Sequence, residues 1–109
     1  MGKDSRIPVL FGQAPQAGDA VLVEQGLPIP EGAYVLLFTS APSGHVPGCL
    51  CCAGRSSAAA ALMQIFRDRA VGAAPFFSRL VVWATVAGMA EVTRALAEDV
   101  LARARYRLA

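Results

Sequence analysis

The chain has 109 residues, which is enough for one domain that buries a core without disulfide or metal staples. Hydrophobic residues make up 55% and charged residues 17%, which excludes a disordered tail and favours elements buried on both faces. The net charge of +2 is too small to indicate a nucleic-acid partner, so we expect none.

The first part of the chain contains short apolar runs separated by glycine and proline. Residues 7–11 are typical of a strand that ends at Gly12. Residues 19–27 fit a strand by propensity, although a short helix remains an alternative. After a Pro- and Gly-rich break, residues 33–39 form a continuous apolar run, which predicts a strand covered on both faces.

The second part of the chain alternates helical and strand patterns. Ser56 or Ser57 can cap a helix that ends near Gly72. Residues 79–86 are rich in β-branched side chains and predict a strand. Residues 89–108 then predict one amphipathic helix. Its apolar stripe comprises Met89, Val92, Leu96 and Val100.

This order of elements predicts the α/β class. Strands that alternate with helices are typical of right-handed βαβ units, so we expect a small three-layer sandwich around a mostly parallel sheet. The whole chain, residues 1–109, is predicted to form one domain. In such sheets, binding loops lie beyond the carboxyl ends of the strands, and residues 40–52 follow the strand at 33–39.

Membrane and export signals are not evident in the sequence. The most apolar run, residues 80–90, is far shorter than the ~20 residues that span a bilayer, and no long apolar stretch follows the charged N-terminus. We therefore expect a cytoplasmic protein without membrane contact. Arg103, Arg105 and Arg107 are interpreted as a solvated last helical turn that complements the helix dipole.

The most informative segment is Gly48–Cys52, which reads Gly-Cys-Leu-Cys-Cys and holds every cysteine of the chain. In an extended loop, Cys49 and Cys51 leave on the same side, and Cys52 can turn in where the helix begins. Three thiolates suit Zn²⁺ or Cu(I). Zn²⁺ usually takes a fourth ligand, which water, a partner or His45 of the same loop could supply.

Other interpretations of these thiols remain open. They can be unligated and partly buried, whereas a disulfide between Cys51 and Cys52 would form a strained ring. A thiol redox enzyme is disfavoured, because the C-x-C-C spacing differs from C-x-x-C and His45 is the only nearby base. His45 is also the only histidine, so Ser-His-Asp catalysis has no support.

Several motifs together resemble the CobW-type family of GTPases and metallochaperones. The Gly-Cys-x-Cys-Cys motif at 48–52 precedes a helix, then the strand Phe77–Val82, and then the tail Ala104–Leu108, which is similar to the family's "ARYRL" segment. The resemblance covers residues 46–109. It implies a fragment of a P-loop-NTPase-like fold in which Cys49, Cys51 and Cys52 bind metal.

The chain departs from the family's nucleotide site. Gly12 and Gly18 could represent the glycines of the phosphate loop, but Asp19 and Ala20 stand where the family has Lys and Thr. Ala84 stands where the family's "ETTG" motif has its Glu. A carboxylate at the Lys position would repel a triphosphate. The resemblance therefore implies a degenerate P-loop, and we expect no GTP hydrolysis. Whether the chain still binds a nucleotide stays open at this point.

Two functions follow as expectations from these observations. The first is a small zinc-binding, metallochaperone-like protein that carries metal or modulates a partner, either a full-length CobW-like protein or a second copy of itself. The second is an interaction module that forms a homodimer through apolar surface and has no metal role.

Overall fold

A computed structural model of the protein describes residues 5–30, 34–39 and 56–109. Within these residues, the strands all run parallel in one sheet of order β3-β2-β4-β1-β5. The strands are β1 Ile7–Phe11, β2 Ala20–Glu24, β3 Tyr34–Phe38, β4 Leu80–Trp83 and β5 Tyr106–Leu108. The helices are α1 Ser57–Val71, α2 Val86–Glu98 and α3 Val100–Arg105. The predicted α/β class with a parallel sheet is confirmed.

The helices share one face of the sheet. α1 contacts both α2 and α3, and the three helices pack on alternate side chains of the strands. Leu22 and Leu80 are fully buried at the centre of this layer, and Tyr106 from β5 lies among the helices with its hydroxyl donating to the Leu62 carbonyl at 2.7 Å. Burial of such apolar side chains provides the main free energy that holds the layers together.

The connection between β1 and β2 lies against the opposite face of the sheet. Val21, Val23 and Val81 point away from the helices and are nevertheless fully buried. Trp83 on the same face donates its indole N–H to the Gln13 carbonyl at 2.8 Å, which places the β1–β2 connection there. From β1 to β3 the chain moves across the sheet in one direction, and from β3 to β5 it moves in the opposite direction. Right-handed crossovers therefore place the β1–β2 connection and the helices on opposite faces of the sheet. The layer on this face thus includes the β1–β2 connection.

The ambiguous segment at 19–27 contains strand β2. All five residues of β2 are buried, and β2 lies between β3 and β4. Helix α1 has the predicted boundaries, since the Ser56 hydroxyl accepts from the Ala59 N–H at 3.1 Å and Gly72 ends the helix in the left-handed region at φ +83°.

The prediction of one helix over 89–108 is wrong. Asp99 adopts an extended conformation, and its carboxylate accepts from the N–H groups of Leu101 and Ala102, which ends α2 and begins α3. The chain then enters strand β5, in which Tyr106 pairs with Ile7. Of the predicted apolar stripe, Val92 and Leu96 are buried, but Val100 is 69% exposed because it follows this break. Among the described residues, no helix is long and apolar enough to cross a bilayer.

Candidate functional site at the carboxyl edge of the sheet

The predicted metal ligands Cys49, Cys51, Cys52 and His45 lie outside the described residues. The described residues that border their segment are Thr39, directly after β3, and Ser56, the cap of α1. Within the described ranges there is no cluster of histidine, cysteine or acidic side chains suited to a metal ion.

The two borders of the thiol-bearing segment meet at one point. The Thr39 N–H donates to the Ser57 hydroxyl at 3.1 Å, although these residues are 18 positions apart. Thr39 follows β3 at the carboxyl edge of the sheet, and Ser57 begins α1. The segment that contains the cysteines therefore leaves and re-enters the described structure at the carboxyl edge, as expected for a binding loop in a parallel sheet.

The start of α1 gives this point a favourable electrostatic character for anions. The 15-residue helix directs its N-terminal N–H groups towards the carboxyl edge, and no acidic side chain occupies its first turn. Such a terminus carries a partial positive charge that stabilises a nearby thiolate and lowers a thiol pKa. Ser56 satisfies one of these N–H groups, that of Ala59.

A buried carboxylate that the sequence analysis did not single out lies at the same edge. Glu24 ends β2, pairs in register with Phe38 and is 9% exposed. Its Oε1 accepts two hydrogen bonds from Thr85, from the N–H at 2.8 Å and from the hydroxyl at 2.7 Å. The Thr85 hydroxyl in turn accepts from the Gly88 N–H at 3.2 Å, which caps α2. Glu24 thus joins the end of a central strand to the start of a helix.

Gly88 allows this close approach. An added Cβ at Gly88 would lie 2.2 Å from Glu24 Oε1 and 2.8 Å from the Ala84 Cβ. The sequence contained a signal for this arrangement, namely an acidic residue at the end of an otherwise apolar strand, but its partner lies 61 positions away. The position that the resemblance aligns with a family Glu holds Ala84, whose side chain packs against the core.

The connection after β1 does not have the geometry of a phosphate loop. In a P-loop, the glycine-rich turn runs from a strand into a helix whose N-terminal N–H groups bind phosphate. Here residues 12–19 lead from β1 directly into β2. The residue aligned with the family's Lys, Asp19, therefore lies at the amino edge of the sheet, at the opposite end from Glu24.

Asp19 forms an ion pair with Arg79. The Arg79 guanidinium lies 2.8 Å from Asp19 Oδ2, and the Gln16 N–H donates to the same oxygen at 2.8 Å. Burial alone would raise the pKa of Asp19, but the hydrogen bonds from Arg79 and Gln16 outweigh it and lower the pKa below its usual range. The pair joins the starts of β2 and β4, since Ala20 pairs with Leu80.

Comparison with known proteins yields no relative for this chain. No protein-family model matches it, and no curated protein and no solved structure shows significant similarity.

Proposed function

We propose that this protein is a small cytoplasmic metal-binding protein that holds one zinc ion with the thiolates of Cys49, Cys51 and Cys52. It delivers this metal or modulates a partner in response to it, and it does not hydrolyse GTP. By its resemblance to the CobW-type family, the partner is a full-length protein of that kind or a second copy of this chain.

The observation that carries the proposal is the hydrogen bond between the Thr39 N–H and the Ser57 hydroxyl. It joins Thr39 and Ser57 at one edge of the sheet, and the segment between these two residues contains every thiol of the chain. Joining the two flanks of a segment reduces the number of conformations it can adopt, which lowers the entropic cost of bringing several of its ligands to one cation. The segment ends at the N-terminus of α1, and a helix N-terminus favours the thiolate form of a cysteine that lies close to it.

Zinc is the cation that best fits this donor set. Thiolates select soft or borderline cations, and reduced cysteines persist in the cytoplasm, where disulfides are rare. His45 is the candidate for a fourth ligand on the same segment, with water or a partner's side chain as the alternatives. The proposed absence of GTP hydrolysis is supported by the direct connection of β1 to β2, because no helix follows β1 to bind phosphate as in a P-loop.

The test is the metal content of the protein purified under reducing conditions. Native mass spectrometry should show one zinc per chain, and a variant with Cys→Ser at positions 49, 51 and 52 should bind none while keeping the circular dichroism spectrum of the wild type. His45→Gln serves as a separate variant that identifies the fourth ligand. Stoichiometric zinc in the folded triple variant would refute the proposal.

A second candidate function is an interaction module that forms a homodimer. Strand β3 favours it, because Tyr34–Phe38 is an apolar strand at the edge of the described sheet and Leu37 is 45% exposed. Sedimentation equilibrium separates the two functions. A dimer that persists in the triple Cys→Ser variant and in the presence of a chelator supports the module, whereas a monomer under both conditions excludes it.

A further inference from the structure

A cluster of arginine and phenylalanine side chains lies where α1 ends. The Arg69 guanidinium carbon lies 3.7 Å from the centroid of the Phe76 ring and 5.9 Å from that of Phe66. Arg69 is held there because its Nε donates to the Phe77 carbonyl at 2.9 Å. Phe76 is nevertheless 79% exposed. One side of its ring therefore faces solvent while the Arg69 guanidinium lies against the ring.

A second cation reaches the same cluster from α3. The Arg105 guanidinium carbon lies 4.9 Å from the Phe66 centroid, and Arg105 is exposed. Arg105 lies in the last turn of α3 and is exposed, as the sequence predicts, and it also lies over an aromatic ring. Arg107 departs from the predicted last turn, because it lies in β5 and is half-buried. We call Phe66, Arg69, Phe76 and Arg105 the arginine–phenylalanine patch.

The charges of the patch are not neutralised by the acidic residue of the same helical turn. Asp68 accepts hydrogen bonds from the Tyr34 hydroxyl and from the Gln64 amide at 2.8 Å, so its carboxylate is directed to those two partners. The patch therefore combines two guanidinium groups with an exposed ring. Val71, two residues after Arg69, is 77% exposed and adds apolar surface at the same helix end.

We propose that the arginine–phenylalanine patch binds an acidic peptide segment of a partner protein. Carboxylates of the segment pair with Arg69 and Arg105, and an aromatic or aliphatic side chain of the segment packs on Phe76 and Val71. A mixture of two cations and two exposed apolar side chains suits such a segment better than a nucleic acid. A phosphate backbone requires a larger set of cations, and the whole chain has a net charge of only +2.

The test is fluorescence anisotropy with a labelled peptide of glutamates around one central phenylalanine. The full-length protein should bind this peptide, and a matched peptide with glutamine in place of glutamate should bind at least about threefold more weakly, as expected for loss of exposed charge pairs. Arg105→Gln and Phe76→Ala should each weaken binding by about threefold or more, and the exposure of both residues lets these variants keep the fold.

Arg94→Gln is the matched control, because Arg94 is an exposed arginine on α2 that pairs with Glu91 at 3.8 Å. It removes the same charge outside the patch and should leave peptide binding unchanged. Equal losses in Arg94→Gln and Arg105→Gln would overturn the proposal, since binding would then depend on net charge alone. Failure of the glutamate peptide to bind, or binding of oligothymidylate with the same dependence on Phe76 and Arg105 in its place, would also overturn it.

Discussion

Glu24 and Thr85 are joined by two hydrogen bonds to a single carboxylate oxygen, although 61 positions separate them in the chain. The contact connects the end of β2 to Thr85, the residue that caps α2. It also places the Glu24 carboxyl group at the N-terminus of α2. Two elements that border the candidate site are thereby held in fixed relation.

Replacement of Glu24 tests the strength of this connection. Glu24→Ala should lower the free energy of unfolding by about 1–3 kcal/mol, because the partly buried Thr85 N–H loses its acceptor. Glu91→Ala is the control, since Glu91 makes an exposed ion pair with Arg94 and its loss should cost less than about 0.5 kcal/mol. Urea denaturation measures both values. Equal stability of the two variants would contradict this role of Glu24.

Gly88→Ala should destabilise the protein, although replacing a helical glycine by alanine usually stabilises a helix. Alanine normally stabilises a helix interior by about 1 kcal/mol relative to glycine. Here its Cβ would lie 2.2 Å from Glu24 Oε1, so we expect destabilisation by about 1–3 kcal/mol. The double variant with Glu24→Ala should lose less stability than the sum of the single variants, since the carboxylate is gone. Additive losses in thermal or urea unfolding would show that the two residues do not compete for space.

The ion pair between Asp19 and Arg79 predicts an acid-sensitive contribution to stability. The pKa of Asp19 is lowered in the folded state, since the hydrogen bonds from Arg79 and Gln16 outweigh the opposing effect of burial. The folded state therefore binds the proton more weakly than the unfolded chain, and this stabilisation is present near neutral pH and lost as the pH falls below about 4. Asp19→Asn should be less stable than the wild type at neutral pH.

The difference between the wild type and Asp19→Asn should shrink as the pH falls from about 5 towards 2, which is where the carboxylate becomes protonated. Urea denaturation across this pH range measures it. A constant difference down to the lowest pH would contradict the lowered pKa of Asp19.

The adjacent residues Ser56 and Ser57 allow a matched test of the hydrogen bond that joins the two ends of the cysteine-containing segment. Ser57→Ala removes the acceptor of the Thr39 N–H and should weaken zinc binding about two- to tenfold. This factor corresponds to the net free energy of one hydrogen bond. Ser56→Ala removes the helix cap and should cost about 1 kcal/mol of stability with a smaller effect on zinc affinity. Competition with a chromophoric chelator measures affinity. Identical zinc affinity of Ser57→Ala and the wild type would contradict a role of the joined borders.

Local patterns in the sequence are sufficient to predict many of the strands and helices. The apolar runs of β1 and β3 and the capped helix α1 were predicted with bounds close to those observed, because propensity and capping are local properties. The pattern failed after Asp99, where apolar residues continue at helical spacing although the Asp99 carboxylate caps a new helix. Burial of Tyr106 in the core then favours strand β5, and this tertiary effect leaves no periodic signal in the sequence.

The contacts around the candidate site could not be predicted from the sequence to the same extent as the helices and strands. Residue type and spacing singled out the cysteines, and their coordination of a metal remains a prediction. The contact of Glu24 with Thr85 and that of Asp19 with Arg79 depend on which strands are neighbours, and strand order follows from the packing of the whole sheet. A glycine such as Gly88 gains its importance only from the carboxylate that lies against it.

X-ray absorption spectroscopy at the zinc edge tests the central claim most directly. For the reduced protein loaded with one equivalent of zinc, the nearest ligands should be dominated by sulfur at about 2.3 Å, the distance of zinc–thiolate bonds. A nearest shell made only of nitrogen and oxygen at about 2.0 Å would contradict the claim that Cys49, Cys51 and Cys52 bind the metal.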